Sequence, residues 1–175
     1  MGLPLVVKAP TQGSTIGTSF VHERKDVVTA LELAYRYDRV ALVEQFIEGM
    51  EVTAPVLGND NPVALPLIEI VSATGVYDYE AKYTAGMSDH IIPPRIPGEQ
   101  QAMIKELAVR TFQALGCRGL SRVDFMVEQG GGAYILEVNT MPGMTATSLF
   151  PDAARAAGIE FPQLVDQIVK LALEK

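Results

Sequence analysis

The sequence predicts an α+β fold, and three observations predict it. Short apolar runs with strand character occupy much of residues 5–71. A glycine turn between two strands spans residues 122–140. Helical periodicity is confined to separate segments, the longest starting at Gly98. With 175 residues the chain can form one domain or two small subdomains, and can bury roughly 70% of its unfolded surface.

Leu5 to Ala9 reads as a strand ending at Pro10, followed by the polar loop Thr11-Gln12-Gly13-Ser14-Thr15-Ile16-Gly17-Thr18. Phe20-Val21 is a second short strand. Asp26 is placed to cap a helix running to about Tyr37, with Val27, Leu31, Ala34 and Tyr35 inward. Val40 to Phe46 is an apolar strand interrupted by Glu44. After Gly49, Glu51 to Leu57 reads as another, turning at Gly58-Asn59-Asp60-Asn61-Pro62, and Val63 to Val71 continues as sheet. Residues 72–97 lose all periodicity; a loop of this length is functional or disordered, and its aromatics argue against plain disorder. From Gly98 a helical stripe of Ile104, Leu107, Ala108, Thr111, Phe112 and Leu115 runs to Gly116. After the strand pair come a small-residue loop, Thr140 to Ser148, and a short helix from Pro151 to Ala157 closed by Gly158. Pro162 opens the last helix, with Leu164, Val165, Ile168, Val169 and Leu171 as its stripe.

Composition narrows the function. The net charge of −7, with no basic run and no Trp, supports neither nucleic-acid nor anionic-membrane binding. The lone Cys117 excludes an intrachain disulfide and a thiolate metal cluster, and fits a reducing cytoplasm. No apolar run approaches the length of a membrane span, and no signal peptide is visible. The start, Met1-Gly2-Leu3-Pro4, leads almost directly into a strand, as expected of a piece with sequence missing upstream.

The strongest chemical signal is the strand pair. Pairing Glu128 with Ala133 across Gln129-Gly130-Gly131-Gly132 and counting outward sets Asp124 opposite Glu137 and Arg122 opposite Asn139. By alternation these four share one face, while Val123, Phe125, Leu136 and Val138 share the buried one. Like charges directly opposite are destabilising, which points to a cation between them. The oxygen-only set Asp124, Glu137 and Asn139 suits Mg²⁺. The competing reading is a polar face on which Arg122 bridges the acids as surface salt bridges. Gly143 and Ser148 lie just beyond, where another ligand group could bind.

Weaker signals accompany it. Lys8 and the glycine-rich loop after it could together hold an anion through backbone N–H groups, although each feature taken alone reads more readily as a polar hairpin turn or a solvated edge lysine. Glu44 and Glu51 could accept from an adenine amine or a ribose hydroxyl, but spacing alone favours carboxylates in solvent. Tyr77-Asp78-Tyr79-Glu80-Ala81-Lys82-Tyr83 offers a cation and phenols that could close over a ligand, a solvated charge cluster being the ordinary alternative. His22 and His90 sit in no metal-ligand spacing and read as loop residues.

Taken together, the segments resemble the C-terminal two thirds of the D-alanine–D-alanine ligases, members of the ATP-grasp superfamily. They are Val7-Lys8, Gln12 to Gly17, Val43 to Glu51, Tyr77 to Tyr83, Arg122-Val123-Asp124 and Leu136 to Thr145. They run in family order, with Ala9 a departure where many relatives have proline. The resemblance implies an ATP-grasp fold of two α+β subdomains sandwiching the nucleotide. Residues 1–49 would be part of the smaller and 50–175 the larger, with an ω-loop at about 72–97. It implies ATP and two Mg²⁺ (or Mn²⁺) as cofactors, D-alanine as substrate, a cytoplasmic enzyme of peptidoglycan precursor synthesis, and a homodimer in the full-length enzyme. Lys8 would hold the phosphates, Glu44 and the backbone near Ile47 the adenine, and Glu51 the ribose. Asp124, Glu137 and Asn139 would hold the metals. Lys82 would reach the γ-phosphate and the acyl phosphate. Arg122 and the Gly143 backbone would stabilise the tetrahedral oxyanion. Ser148 would bind the carboxylate of the second D-alanine, and Ser14 and Tyr83 would hydrogen-bond near the first. Tyr83 also resembles the dipeptide-forming members, favouring D-alanine over D-lactate as acceptor. The family's N-terminal domain is missing, so the expectation is weak or no ligase turnover by the chain alone. The alternatives are a nucleotide-binding fragment without turnover, another ATP-grasp carboxylate–amine ligase, and an interaction domain whose acids form surface salt bridges.

Overall fold

The computed structural model describes residues 1–72 and 88–174. The chain forms two compact units, one built on Met1–Glu48 and the other on Gly49–Val71 and Asp89–Lys175.

In the first unit, β1 (Leu5–Lys8) is the middle strand of an antiparallel sheet, flanked by β2 (Ser19–Val21) and β3 (Leu42–Gln45). Helix α1 (Val27–Tyr35) covers it, and the core is small: Val7, Ala9, Val21, Ala30 and Ala34. Such side chains fill little volume, so Tyr35, Val40 and Leu42 remain exposed. This corrects the inward placement of Tyr35 and shortens both the expected helix and the expected 40–46 strand. Asp26 stands before α1 but makes no side-chain cap bond. A 3₁₀ turn at Arg24–Asp26 holds it at φ −88°, ψ −9°, away from the extended geometry a cap requires. An edge-on contact of Phe20 with Phe46, ring centres 6.0 Å apart, closes the end of the sheet.

The second unit is organised by a mixed-length sheet. Its strands are β4 (Met50–Gly58), β5 (Val63–Ala64), β6 (Ile68–Ser72), β7 (Ser88–Ile91), β8 (Gly119–Val127) and β9 (Ala133–Asn139). Their order is β7-β6-β4-β8-β9, with β5 beside β4. Helix α2 (Gly98–Ala114) lays Ile104, Ala108 and Phe112 on Val52, Ala54, Val56, Val123, Phe125 and Val127. Leu115, expected on that stripe, is 63% exposed because the helix has ended and Gly116 turns the chain at φ +64°. Helix α3 (Leu149–Ala156) starts two residues before the expected Pro151, at the cap Ser148, which lets Leu149 and Phe150 enter the core. In α4 (Phe161–Leu173) Leu164 is buried, whereas Val165 and Val169 point outward.

Two further expectations change. The Val63–Val71 run is broken into β5 and β6, with Leu65 N–H returning to the Pro55 carbonyl at 2.9 Å. Residues 88–91, read as part of an aperiodic loop, form β7. Ser-Asp-His-Ile carries no apolar alternation, so backbone pairing alone defines that strand. Gly49 also matters: a Cβ there would stand 2.3 Å from the Val127 carbonyl oxygen. Only a glycine allows the backbones of β4's entry and β8 to approach so closely.

The β8–β9 pair keeps the expected outer register, Asp124 with Glu137 and Arg122 with Asn139. Near the turn the register differs by one: Val127, not Glu128, pairs with Ala133, and Phe125 pairs with Ile135. A bulge between these two registers leaves Leu136 as the extra residue. Leu136 therefore leaves the core-facing side of β9, where Ala133 joins the expected Val138.

Candidate functional site

Three strands bring the acid face together. Thr53 on β4 pairs with Asp124 on β8, which pairs with Glu137 on β9. One step along, Pro55, Arg122 and Asn139 form the parallel row. Paired residues of an antiparallel sheet share a face, so Thr53, Asp124, Glu137, Arg122 and Asn139 stand on one surface. Glu51, two residues before Thr53, joins it by alternation and is half-buried.

Asp124 is only 4% exposed, and its charge is met locally. Arg122 donates through Nε to Oδ1 at 2.9 Å and through Nη2 to Oδ2 at 2.7 Å. Thr53 Oγ1 donates to Oδ1 at 2.5 Å. This bidentate fork fixes both the carboxylate and the guanidinium plane. Glu137 differs: it is exposed, and its side chain makes no hydrogen bond or ion pair to any described residue. Among the described residues, the Arg122 fork onto Asp124 is not accompanied by an ion pair to Glu137. Asn139 Oδ1 accepts the Met141 N–H at 2.9 Å, which holds the start of the following loop and leaves a second lone pair on that oxygen. Two facing carboxylates and an amide oxygen, with one carboxylate open to solvent, are a donor set that fits Mg²⁺.

The following loop is organised by Ser148. Its Oγ accepts the Thr145 N–H at 3.0 Å and lies 2.9 Å from Thr145 Oγ1. A Cβ on Gly143 would stand 2.8 Å from that same Oγ. Gly143 and Ser148, predicted separately, are therefore neighbours.

In the first unit Lys8 and Glu44 form an ion pair across β1 and β3, their side chains 28% and 33% exposed. Because β1 is the central strand, Lys8 is not the solvated edge lysine that its apolar context suggested. Ile47 is half-buried in the segment after β3. Ser14 and Thr15 carry φ of +54° and +65°, a left-handed pair without glycine. Each costs roughly 1–2 kcal/mol, a strain that concentrates at functional loops. The amides of Gln12, Ile16 and Thr18 bond the Ala9, Gly13 and Thr15 carbonyls, so fewer N–H groups face outward than a full anion cradle would use. Asp38 anchors the loop by accepting the Thr11 N–H at 2.9 Å. Hydrogen bonds from Thr11 hold its carboxyl below the usual carboxylate range. Lys82 and Tyr83 lie outside the described residues.

Sequence reasoning missed four participants. Thr53 was signalled by the polar alternation Glu51, Thr53 in an apolar strand. Glu69 is 2% exposed on β6 and takes the Arg95 guanidinium and the Arg95 N–H, the latter at 3.0 Å. The Arg95 side-chain bonds lower its pKa, against the opposing effect of burial. An acid inside Ile-Glu-Ile-Val was the available signal. Asp38 gave none. His90, read as a loop residue, lies on β7 and contacts Asp152.

The D-ala D-ala ligase C-terminus family matches residues 1–170. The D-alanine–D-alanine ligase of Pelotomaculum thermopropionicum is 77% identical over 174 residues, covering 99% of this chain and 55% of that protein. That of Desulforamulus reducens is 63% identical, covering 100% of this chain and 56% of its own length. The chain thus spans little more than half the length of these relatives. Among solved structures, the VanG D-Ala:D-Ser ligase from Enterococcus faecalis is similar with TM-score 0.86 and 36% identity, over 99% of this chain and 50% of that one. The D-alanine–D-alanine ligase from Bacillus anthracis complexed with ATP is similar with TM-score 0.77 and 30% identity, over 98% of this chain and 51% of that one.

Proposed function

We propose that this chain, which belongs to the D-ala D-ala ligase C-terminus family, is the group-transfer part of an ADP-forming ligase that joins two D-alanines. The fold is the α+β ATP-grasp fold of its structural neighbours. The observation that carries the functional reading is the register setting Asp124 opposite Glu137, with Arg122 opposite Asn139 one row away.

The reaction proceeds in two displacements. A carboxylate oxygen of one D-alanine attacks the γ-phosphorus of ATP, and ADP departs, leaving D-alanyl phosphate. The amine of the second D-alanine then attacks the acyl carbon, loses a proton, and inorganic phosphate leaves with the broken C–O bond. Asp124, Glu137 and Asn139 would hold Mg²⁺, which neutralises charge on the transferring phosphate when bound. Arg122 has its plane fixed by Asp124, so its charge is preorganised toward the oxyanion of the second displacement, together with the Gly143 N–H. Ser148 Oγ would bind the carboxylate of the second D-alanine, and Ser14 and Tyr83 would orient the first. In the first unit Lys8 would exchange Glu44 for phosphate oxygens, freeing Glu44 for the adenine amine beside the Ile47 backbone. Glu51 would take the ribose, and Lys82 the γ-phosphate and acyl phosphate. Among the described residues no helix is long and apolar enough to cross a membrane. The reading assigns the reaction to peptidoglycan precursor synthesis in the cytoplasm, by an enzyme whose full-length form is a homodimer.

Calorimetric titration with Mg-ADP tests the assignment on wild type and Glu137→Ala. Metal-dependent binding that is lost in the variant supports it. Equal binding by both removes Glu137 from the site. A second acceptor is suggested by the similarity to a D-Ala:D-Ser ligase, so D-alanine, D-serine and D-lactate belong in one acceptor series with the intact ligase.

A further inference from the structure

His90 on β7 and Asp152 in α3 meet with Nδ1 and Oδ2 2.6 Å apart, the side chains 17% and 12% exposed. The other carboxylate oxygen, Oδ1, receives the largely exposed Arg155. Neither element needs this contact in order to form. Strand β7 is joined to β6 by backbone pairing, and α3 is seated by the buried Leu149, Phe150, Ala153 and Ala154. What the pair adds is a fixed distance between a strand of the sheet and the first turns of α3. From Asp152 that constraint passes to the loop. The Asp152 N–H donates to the Ser148 carbonyl at 3.2 Å, and the Ser148 hydroxyl in turn accepts the Thr145 N–H.

We propose that His90 and Asp152 are positioning residues that fix the aim of the Ser148 hydroxyl, and so set the affinity of the site for the acceptor carboxylate. This rests on the reading that Ser148 binds that carboxylate. Neither His90 nor Asp152 touches the reacting atoms in the proposal. They act through Ser148, and their chemistry suits it: a shielded histidine–carboxylate contact is short and directional, whereas apolar packing of α3 alone would tolerate sliding.

The test compares the 175-residue chain with His90→Ala, His90→Asn, Asp152→Asn and Ser148→Ala by amide exchange and by titration with D-alanyl-D-alanine plus Mg-ADP. Asn at 90 keeps an N–H donor near the Nδ1 position, and Asn at 152 keeps an acceptor oxygen. Losing one such bond should change exchange or affinity by about 2- to 10-fold. The expected result for His90→Ala is faster exchange at the Thr145 and Asp152 amides, unchanged exchange across β8 and β9, and weaker dipeptide binding. His90→Asn and Asp152→Asn should recover most of both. Exchange that rises everywhere, or nowhere, overturns the proposal, as does selective exchange with unaltered dipeptide affinity while Ser148→Ala weakens it. Dipeptide binding that Ser148→Ala leaves unchanged overturns the assignment of Ser148 itself, and with it this proposal. If His90→Ala does not fold, Asp152→Leu gives the same comparison against Asp152→Asn.

Discussion

Each unit carries an ion pair on its sheet, and the two pairs sit in different surroundings. Lys8 and Glu44 are about one third exposed, above a core of valines and alanines. The Arg122 and Asp124 side chains are 12% and 6% exposed, on a sheet whose other face is packed by Phe112 and Phe125. Water screens the first pair and can replace either partner at small cost. The second is shielded, and its removal would strand a charge. A pair of the first kind can trade partners with an incoming phosphate. A pair of the second kind holds a guanidinium and a carboxylate in place before any ligand arrives.

Breaking the buried pair should give the largest effect. Arg122→Ala or Asp124→Ala is expected to destabilise the fold by about 3–5 kcal/mol in denaturant titrations. The double variant should lose less than the sum, because the two residues share one interaction. A loss below 1 kcal/mol for either single variant would erase the contrast between the two pairs.

Gly49→Ala sharpens the comparison on the backbone side. A methyl group 2.3 Å from the Val127 oxygen must push β4 away from β8, at about 1–3 kcal/mol by the same titrations. Glu69 extends it to pH. Its folded pKa lies below its unfolded value because Arg95 bonds the charged form. Stability from this group is thus fully present above the unfolded carboxylate range, and is lost as pH falls through the lower folded pKa. Thermal melts of wild type should decline more steeply on acidification than those of Arg95→Ala. Parallel curves would show that the bond contributes nothing to folding.

Lys8→Ala should be the mildest in stability, changing it by about 0–1 kcal/mol. It should nevertheless weaken Mg-ADP binding clearly in calorimetry. A large stability loss with unchanged nucleotide affinity would invert the roles assigned to the two units.

The legible part of the structure was what local alternation controls. The facing of Asp124 and Glu137 followed from period two, and the stripe Ile104, Ala108, Phe112 from period 3.6. Pairings made at a distance left no local trace. Nothing in the sequence sets Lys8 beside Glu44, Glu69 beneath Arg95, or His90 against Asp152. Edge exposure was equally hidden: Ile135 lies opposite the buried Phe125, yet it is 45% exposed because β9 is the outermost of the described strands. The count across the glycine turn arrived at the right acids from a wrong starting pair, since the bulge at Leu136 supplied the missing residue.

That bulge makes the hairpin a slip joint. The residues near the glycine tip and those near the carboxylates follow separate alignments, and the spare residue between them can take up a change of one without passing it on. Shortening the tip by a residue could be absorbed there, sparing the row that contains Asp124. The strand's twist at the joint would change while the charged row stayed where it is.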